Sequence, residues 1–101
     1  RSLVGFILVA AAEGADEAKL GRSLAAVPDA LEVHFVAGED SFLVKLRARD
    51  PEALERIRRD KITRLPGVSR TRTLIVLSTF KETARIPLDD SALQNLKQRR
   101  R

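Results

Sequence analysis

The 101-residue chain contains no cysteine, tryptophan, tyrosine or methionine, and it has four phenylalanines and one histidine. Without cysteine, the sequence excludes disulfides, zinc–thiolate sites, iron–sulfur clusters and thiol catalysis. His34 stands alone between Val33 and Phe35, without acids at ligand spacing, so it does not make a metal site. We therefore predict no metal, no cofactor, and a structural or solvent-facing role for His34.

Long hydrophobic runs and catalytic motifs are also lacking. The longest apolar run, Leu3 to Ala12, has ten residues, about half the length that a membrane-spanning helix needs. It does not have the cleavage pattern of a secretory signal, so we expect a cytoplasmic protein. The five glycines are scattered singly and no serine lies in a nucleophile motif. These patterns predict no catalytic residue and favour a binding or assembly module.

The charge is positive but unevenly distributed. The formal net charge is +5, and the tail from residue 97 to 101 (Lys-Gln-Arg-Arg-Arg) carries four positive charges. The remainder is close to neutral, with an acidic first half and a basic second half. That polarity suits self-association better than a continuous phosphate-binding track. A paired aromatic motif of the kind that stacks RNA bases is also missing.

The periodicity of apolar residues predicts the order βαββαβ. Leu3 to Ala10 is apolar at odd and even positions, which is typical of a strand buried on both faces. Helical spacing of Leu20, Leu24 and Val27 predicts the first helix, and Asp50-Pro51-Glu52 is a strong start for the second. Alternating patterns predict three further strands, at residues 31–35, 42–48 and 68–80.

This order predicts a ferredoxin-like α+β fold of the dimeric α/β-barrel type, an antiparallel sheet with two helices on one face. The first and last strands are expected to be apolar on both faces, which would leave a large apolar patch in water. We therefore expect a second sheet to pack there, making the protein at least a dimer. The predicted contacts are Phe6, Leu8, Leu74 and Val76. Residues 81–88 suggest a short extension strand onto a neighbouring subunit.

Three stretches together resemble a known family. They are residues 31–45 (LEVHFVAGEDSFLVK), residues 65–68 (LPGV) and residues 71–77 (TRTLIVL). Their order and spacing are similar to the effector-binding and oligomerisation (RAM) domain of the Lrp/AsnC family, the leucine-responsive and asparagine-operon regulators. The resemblance implies dimers that commonly ring into tetramers of dimers, and a small amino-acid effector that changes assembly or DNA affinity.

The same resemblance implies the site and the domain organisation. It places the effector at Gly38, Glu39, Asp40 and Ser41, with Thr71 and Thr73 from the last strand. The family usually has an aromatic residue where Asp40 stands and an acid where Ser41 stands, so the effector or its affinity is expected to differ. We expect residues 1–88 to form the domain and residues 89–101 a C-terminal extension with a basic tail. The family's N-terminal helix-turn-helix is absent from this sequence, so we expect the chain to be either the C-terminal part of such a regulator or a stand-alone version. Any DNA contact is expected through a domain not present here.

Two other interpretations share the predicted topology. An amino-acid-binding regulatory domain of the ACT type would pair its sheets side by side. A small dimeric α/β-barrel oxygenase or isomerase would need an internal polar pocket, for which His34 is the obvious helper.

Overall fold

The computed structural model describes residues 2–83, which form four strands and two helices. The elements in chain order are β1 (Leu3–Ala11), α1 (Glu17–Ala25), β2 (Ala30–Phe35), β3 (Phe42–Ala48), α2 (Pro51–Ile57), a π-helical turn (Arg58–Ile62) and β4 (Val68–Ile75). The strands make one antiparallel sheet in the order β2-β3-β1-β4. The predicted ferredoxin-like fold is therefore confirmed.

Aspartates begin both helices. The side chain of Asp16 accepts a hydrogen bond from the Lys19 amide at 3.0 Å, and that of Asp50 accepts one from the Ala53 amide at 2.8 Å. Pro51 follows directly as a first-turn proline. Each carboxylate satisfies an amide that has no partner within its helix, so the helix starts are determined locally.

The core lies between the helices and one face of the sheet. Alternate residues of β1 and β3 point toward the helices and are fully enclosed, and leucines of α1 and α2 cover them. The buried cluster consists of Ile7, Val9, Leu20, Leu24, Phe42, Val44, Leu46, Ala48, Leu54 and Ile62.

The opposite side of the sheet, which we call the open face, has no helix on it. Strand register places apolar residues of β1, β3 and β4 on this face, together with basic residues of β3 and β4. Glu32 and His34 of β2 lie on the same face. The apolar members are Val4, Phe6, Leu8, Leu43, Leu74 and Val76; the basic members are Lys45, Arg47, Arg70 and Arg72. The expectation that the last strand is apolar on both faces is wrong, since Arg70 and Arg72 lie there.

The last strand is also shorter than the predicted residues 68–80. It ends at Ile75, after which the Val76 amide donates a hydrogen bond to the Val4 carbonyl at 3.1 Å. Because β4 runs antiparallel to β1, and β1 begins at Leu3, the sheet offers little further backbone to pair with. Phe80, expected in this strand, is fully exposed outside it. Of the predicted extension at 81–88, residues 84–88 lie outside the described residues, as does the extension at 89–101.

Candidate functional site

The loop from Val36 to Ser41 joins β2 to β3 and is tied to the end of β1. The Ser41 amide donates to the Val9 carbonyl and the Val36 amide to the Ser41 carbonyl, each at 2.9 Å. The Ser41 hydroxyl accepts a hydrogen bond from the Ala11 amide at 3.2 Å. The hydroxyl therefore helps to hold the loop against β1.

Asp40 is buried, with 5% of its surface exposed. Its Oδ2 accepts a hydrogen bond from Arg72 Nη2 at 2.6 Å, and its Oδ1 lies 3.8 Å from Arg70 Nη2. The hydrogen bond and the charge of Asp40 raise the pKa of the Arg72 guanidinium. The Oδ1 atom is buried without a hydrogen-bond partner. The carboxylate thus joins the loop to β4, and one of its oxygens stays unsatisfied.

Two adjoining cavities lie beside the loop and share Glu17 and Phe35 as lining residues. One has a volume of about 540 Å³ and is lined by Glu17, Phe35, Val36, Ala37, Gly38, Asp40 and Ser41. The other, about 370 Å³, lies between α1 and β2 and is lined by Glu17, Ala18, Gly21, Phe35 and Phe42. Together they present an apolar wall and one carboxylate that is on the surface, that of Glu17.

Gly38 does not serve the loop through an unusual backbone angle. Among the glycines, positive φ angles occur at Gly14 and Gly67. A Cβ atom at Gly38 would have no heavy atom within 4 Å. Gly38 is therefore not required for a turn. It lines the larger cavity with backbone alone, and the space beside it is empty.

Thr71 and Thr73 lie on β4, which pairs with the edge of β1 opposite to β3. Val9 pairs with Thr71 on β4 and with Phe42 on β3, so the threonines and the loop approach the same end of the sheet. Thr71 and Thr73 face the helix side, however, and Thr71 Oγ1 accepts a hydrogen bond from Arg58 Nη1 at 3.1 Å. Neither threonine lines the two loop cavities. Within one copy the six predicted effector residues therefore form two separate groups.

Sequence reasoning missed Arg70 and Arg72 as partners of the loop, and Arg58 as the partner of Thr71. A weak signal was present for the first two: like charges two residues apart on one face of a strand repel each other, which favours a counter-charge nearby. No such signal was present for Arg58. A π-helical turn begins at this residue, but the apolar stripe that continues through Ile62 and Leu65 predicts an ordinary α-helix there.

The predicted assembly residues Phe6, Leu8, Leu74 and Val76 share the open face. Phe6 and Leu74 are directly paired across β1 and β4. Leu74 is half exposed in the single copy. Their placement agrees with the prediction of an apolar surface.

The border of the open face near β2 carries a small ionic cluster. His34 Nε2 lies 2.9 Å from Glu32 Oε1, and Lys45 Nζ lies 3.5 Å from Glu32 Oε2. The hydrogen bond from His34, with the charge of Lys45, lowers the pKa of Glu32 below its usual value. His34 is exposed and lines neither loop cavity.

The described residues contain neither a metal-ligand cluster nor a membrane-spanning helix. Among residues 2–83, no group of three or more histidine or acidic side chains is placed to hold a metal ion. Neither described helix has the length and hydrophobicity needed to cross a membrane.

Comparison with known proteins identifies the family. The sequence profile of the Lrp/AsnC ligand-binding domain matches residues 5–86, which include both helices, β2 to β4, and β1 from Gly5 onward. The chain belongs to the Lrp/AsnC family. The match favours this family over the ACT-type and oxygenase interpretations.

Relatives and solved structures agree with this Lrp/AsnC assignment. The HTH-type transcriptional regulator FL11 of Pyrococcus horikoshii is 37% identical over 87 residues, covering 86% of this chain and 56% of its own. The transcriptional regulator NMB0573 of Neisseria meningitidis, solved as a complex with L-methionine, superposes with a TM-score of 0.78 at 25% identity, covering 86% of this chain and 57% of that one. TTHA0845 of Thermus thermophilus has a TM-score of 0.72 at 28% identity, covering 79% of this chain and 99% of that one.

The Lrp/AsnC chain described here spans about half the length of the curated relatives it matches. Those relatives are transcriptional regulators. The part that it shares with them is the ligand-binding domain.

Proposed function

We propose that this chain is the effector-sensing and assembly domain of an Lrp/AsnC-type transcriptional regulator. The observation that carries the proposal is the family match over residues 5–86, together with the cavities beside the Val36–Ser41 loop. The proposed role is binding and assembly without catalysis. DNA contact would come from a helix-turn-helix domain outside these 101 residues.

The proposed effector is a small amino acid, bound at the loop. The bare Gly38 allows the ligand carboxylate to approach the backbone. Glu17, which lines both cavities, is the carboxylate available to its ammonium group, because Asp40 is engaged by Arg72 and Ser41 by Ala11. Glu39 is exposed on the same loop, outside the lining of either cavity. Phe35 and Phe42, whose rings lie 5.3 Å apart, offer an apolar wall for the ligand's side chain. A structure solved with L-methionine among the similar proteins supports this ligand class.

Thr71 and Thr73 have a different place in the proposal. They face the helix side of the sheet, where Arg58 donates to Thr71. A second copy of the chain would have to bring them and a loop site together. We therefore propose them as assembly-dependent contributors, Gly38 and Glu17 as direct ones, and Glu39 as a charge beside the cavity.

Self-association through the open face is the second part of the proposal. Phe6, Leu8, Leu74 and Val76 would pack against the same residues of another copy, which removes apolar surface from water. Such dimers would assemble further into rings of four dimers. The domain proposed for this role covers residues 1–88, followed by the basic extension at 89–101.

A ligand panel combined with a size measurement tests the proposal. Thermal unfolding is recorded with each of the twenty L-amino acids, and sedimentation velocity gives the assembly state with and without those that stabilise. We expect at least one amino acid to raise Tm, since a ligand that binds only the folded state stabilises it. Glu17→Gln should reduce that rise, while Glu13→Gln, at an exposed turn on another loop, should preserve it. A strict monomer that no amino acid stabilises would overturn the proposal.

A further inference from the structure

Among the described residues, Asp40 is the one with a charged side chain that is buried. The arginines that contact its carboxylate are distant in sequence. The residue belongs to the loop after β2, yet its carboxylate reaches Arg72 of β4, 32 residues further along the chain. Arg70 approaches the other oxygen from the same strand. The loop that lines the proposed effector cavity is therefore connected to β4 by an ion pair.

The two arginines belong to the open face. Arg70 is paired with Ala10 and Arg72 with Leu8, beside the apolar residues proposed to meet a second copy. Both side chains are more than half exposed in the single copy. A second sheet packed on this face would remove water from their guanidinium groups. Such desolvation is costly unless an anion compensates it.

The negative charge near these arginines comes from the loop. Asp40 is in direct contact, and Glu39, which is exposed, acts on Arg72 through its charge alone. The other charged groups of the open face lie further away: Lys45 and Arg47 on β3 are positive, and Glu32 on β2, beside Lys45 and His34, is at the opposite border of the sheet. Asp40 is therefore the residue that makes the β4 border of the open face suitable for burial.

The contact is incomplete in a single copy. Oδ1 of Asp40 is buried without a hydrogen-bond partner, and Arg70 stops 3.8 Å away. A buried carboxylate oxygen without a donor is unfavourable. Packing that pressed Arg70 closer would satisfy it, so association and the loop contact would strengthen each other.

We propose that Asp40 is a positioning residue that couples the effector loop to self-association, by neutralising Arg70 and Arg72 while a second copy packs on the open face. The inference rests on the proposed function, because it assumes association through that face. A ligand that moves the loop changes the distance between Asp40 and the two arginines, and with it the free energy of dimerisation. By linkage, assembly must also stabilise the loop by the same free energy.

Dimer dissociation constants from sedimentation velocity test the proposal directly. Asp40→Asn keeps the size of the side chain but removes its charge, and we expect dimerisation to weaken about tenfold or more. Combining it with Arg72→Gln should recover at least half of that loss on a logarithmic scale, because one uncompensated cation has gone. Glu13→Gln, which removes an exposed carboxylate from the turn before α1, should change dimerisation less than threefold. A purely structural role for Asp40 would give no recovery on removal of Arg72.

A second measurement does not depend on the folding of the Asp40 variant. Hydrogen exchange of amides 37–41 is followed in the wild-type protein above and below its dimer dissociation constant, and in Arg70→Gln/Arg72→Gln. We expect slower exchange in the wild-type dimer than in its monomer, and no such difference in the variant.

The outcomes separate this inference from the function that it rests on. A wild-type protein that never dimerises overturns the proposed assembly and this inference together. A wild-type dimer whose strength is unchanged by Asp40→Asn, or whose loop exchange is the same in monomer and dimer, overturns the coupling alone.

Discussion

The two faces of the sheet differ sharply although the same strands supply both. On β1 and β3, Ile7, Val44 and Leu46 face the helices and have no exposed surface. Phe6, Leu8 and Leu43 are their neighbours in sequence and are only partly buried on the open face. On β1 the hydropathy of the two faces is similar, so the difference there lies in what packs against each face. A run that is apolar at odd and even positions indicates that both faces are to be covered.

Charge separates the two faces further. On the helix face, β4 carries the uncharged residues Thr71 and Thr73 outside the buried cluster. The open face has arginines at Arg70 and Arg72, compensated by a buried carboxylate from the loop. The core residues of the helix face are therefore covered within one copy. The open face is apolar with a charged border, a composition that is common in protein–protein interfaces.

The largest effect is expected from truncating the helix face. Leu46→Ala leaves a cavity in the buried cluster and should lower the free energy of unfolding by about 2–5 kcal/mol. Leu43→Ala, on the open face of the same strand, should cost less than half as much at concentrations where copies do not associate. Urea unfolding followed by circular dichroism measures both. Equal losses would show that the open face is as tightly packed in a single copy as the helix face.

Overpacking the helix face gives the next largest effect. A Cβ atom at Gly5 would lie 2.6 Å from Leu54 Cδ2 and 3.3 Å from the Leu74 carbonyl oxygen. Because Leu54 is enclosed in the core, Gly5→Ala should displace α2 and destabilise by about 1–3 kcal/mol in urea unfolding. Gly38→Ala, which meets open space, is the matched control and should stay within about 0.5 kcal/mol. A neutral Gly5→Ala would mean that α2 shifts without cost.

Placing a charge in the middle of the open face should affect assembly more than folding. Leu8→Lys is expected to weaken dimerisation at least about tenfold, or about 1.4 kcal/mol, because an ammonium group would be buried between sheets. Ala25→Lys, at an exposed helix position, should leave dimerisation unchanged. Sedimentation velocity gives the dissociation constants. An undiminished Leu8→Lys dimer would show that copies meet elsewhere.

The smallest effect concerns the ionic cluster at the border of the open face. The folded protein lowers the pKa of Glu32 below its ordinary 4.5, mainly through His34. The resulting stability is present above about pH 4.5 and is lost as the pH falls through the lowered folded value. Tm measured from pH 7 to pH 3 should fall slightly less in Glu32→Gln than in the wild type. High salt should reduce this small difference, because the cluster is exposed.

The control for the pH profile is Glu13→Gln, which removes an exposed carboxylate from the turn before α1. Its Tm should follow the wild-type profile. If the Glu32→Gln and wild-type profiles coincide at low salt, the cluster does not contribute to stability.

Much of the fold was accessible from the sequence because the relevant signals are local. A continuous apolar run predicted β1, alternation predicted the other three strands, and Asp50 with Pro51 predicted the start of α2. The order of elements and the motif around Gly38 predicted the ferredoxin-like sheet and the family. The placement of Phe6, Leu8 and Leu74 on one uncovered face followed from strand periodicity.

The sequence by itself determined the elements, the sheet and the family, since spacing and capping act over a few residues. Tertiary structure alone decided how the candidate site is divided. The register of β4 against β1 turns Thr71 toward the helices and Arg72 toward Asp40, and the start of β1 ends β4 before Phe80. A contact across 32 residues depends on the relative placement of three strands, and no local pattern encodes it. For that reason the sequence predicted a loop for an effector, but not the ion pair that ties this loop to the open face.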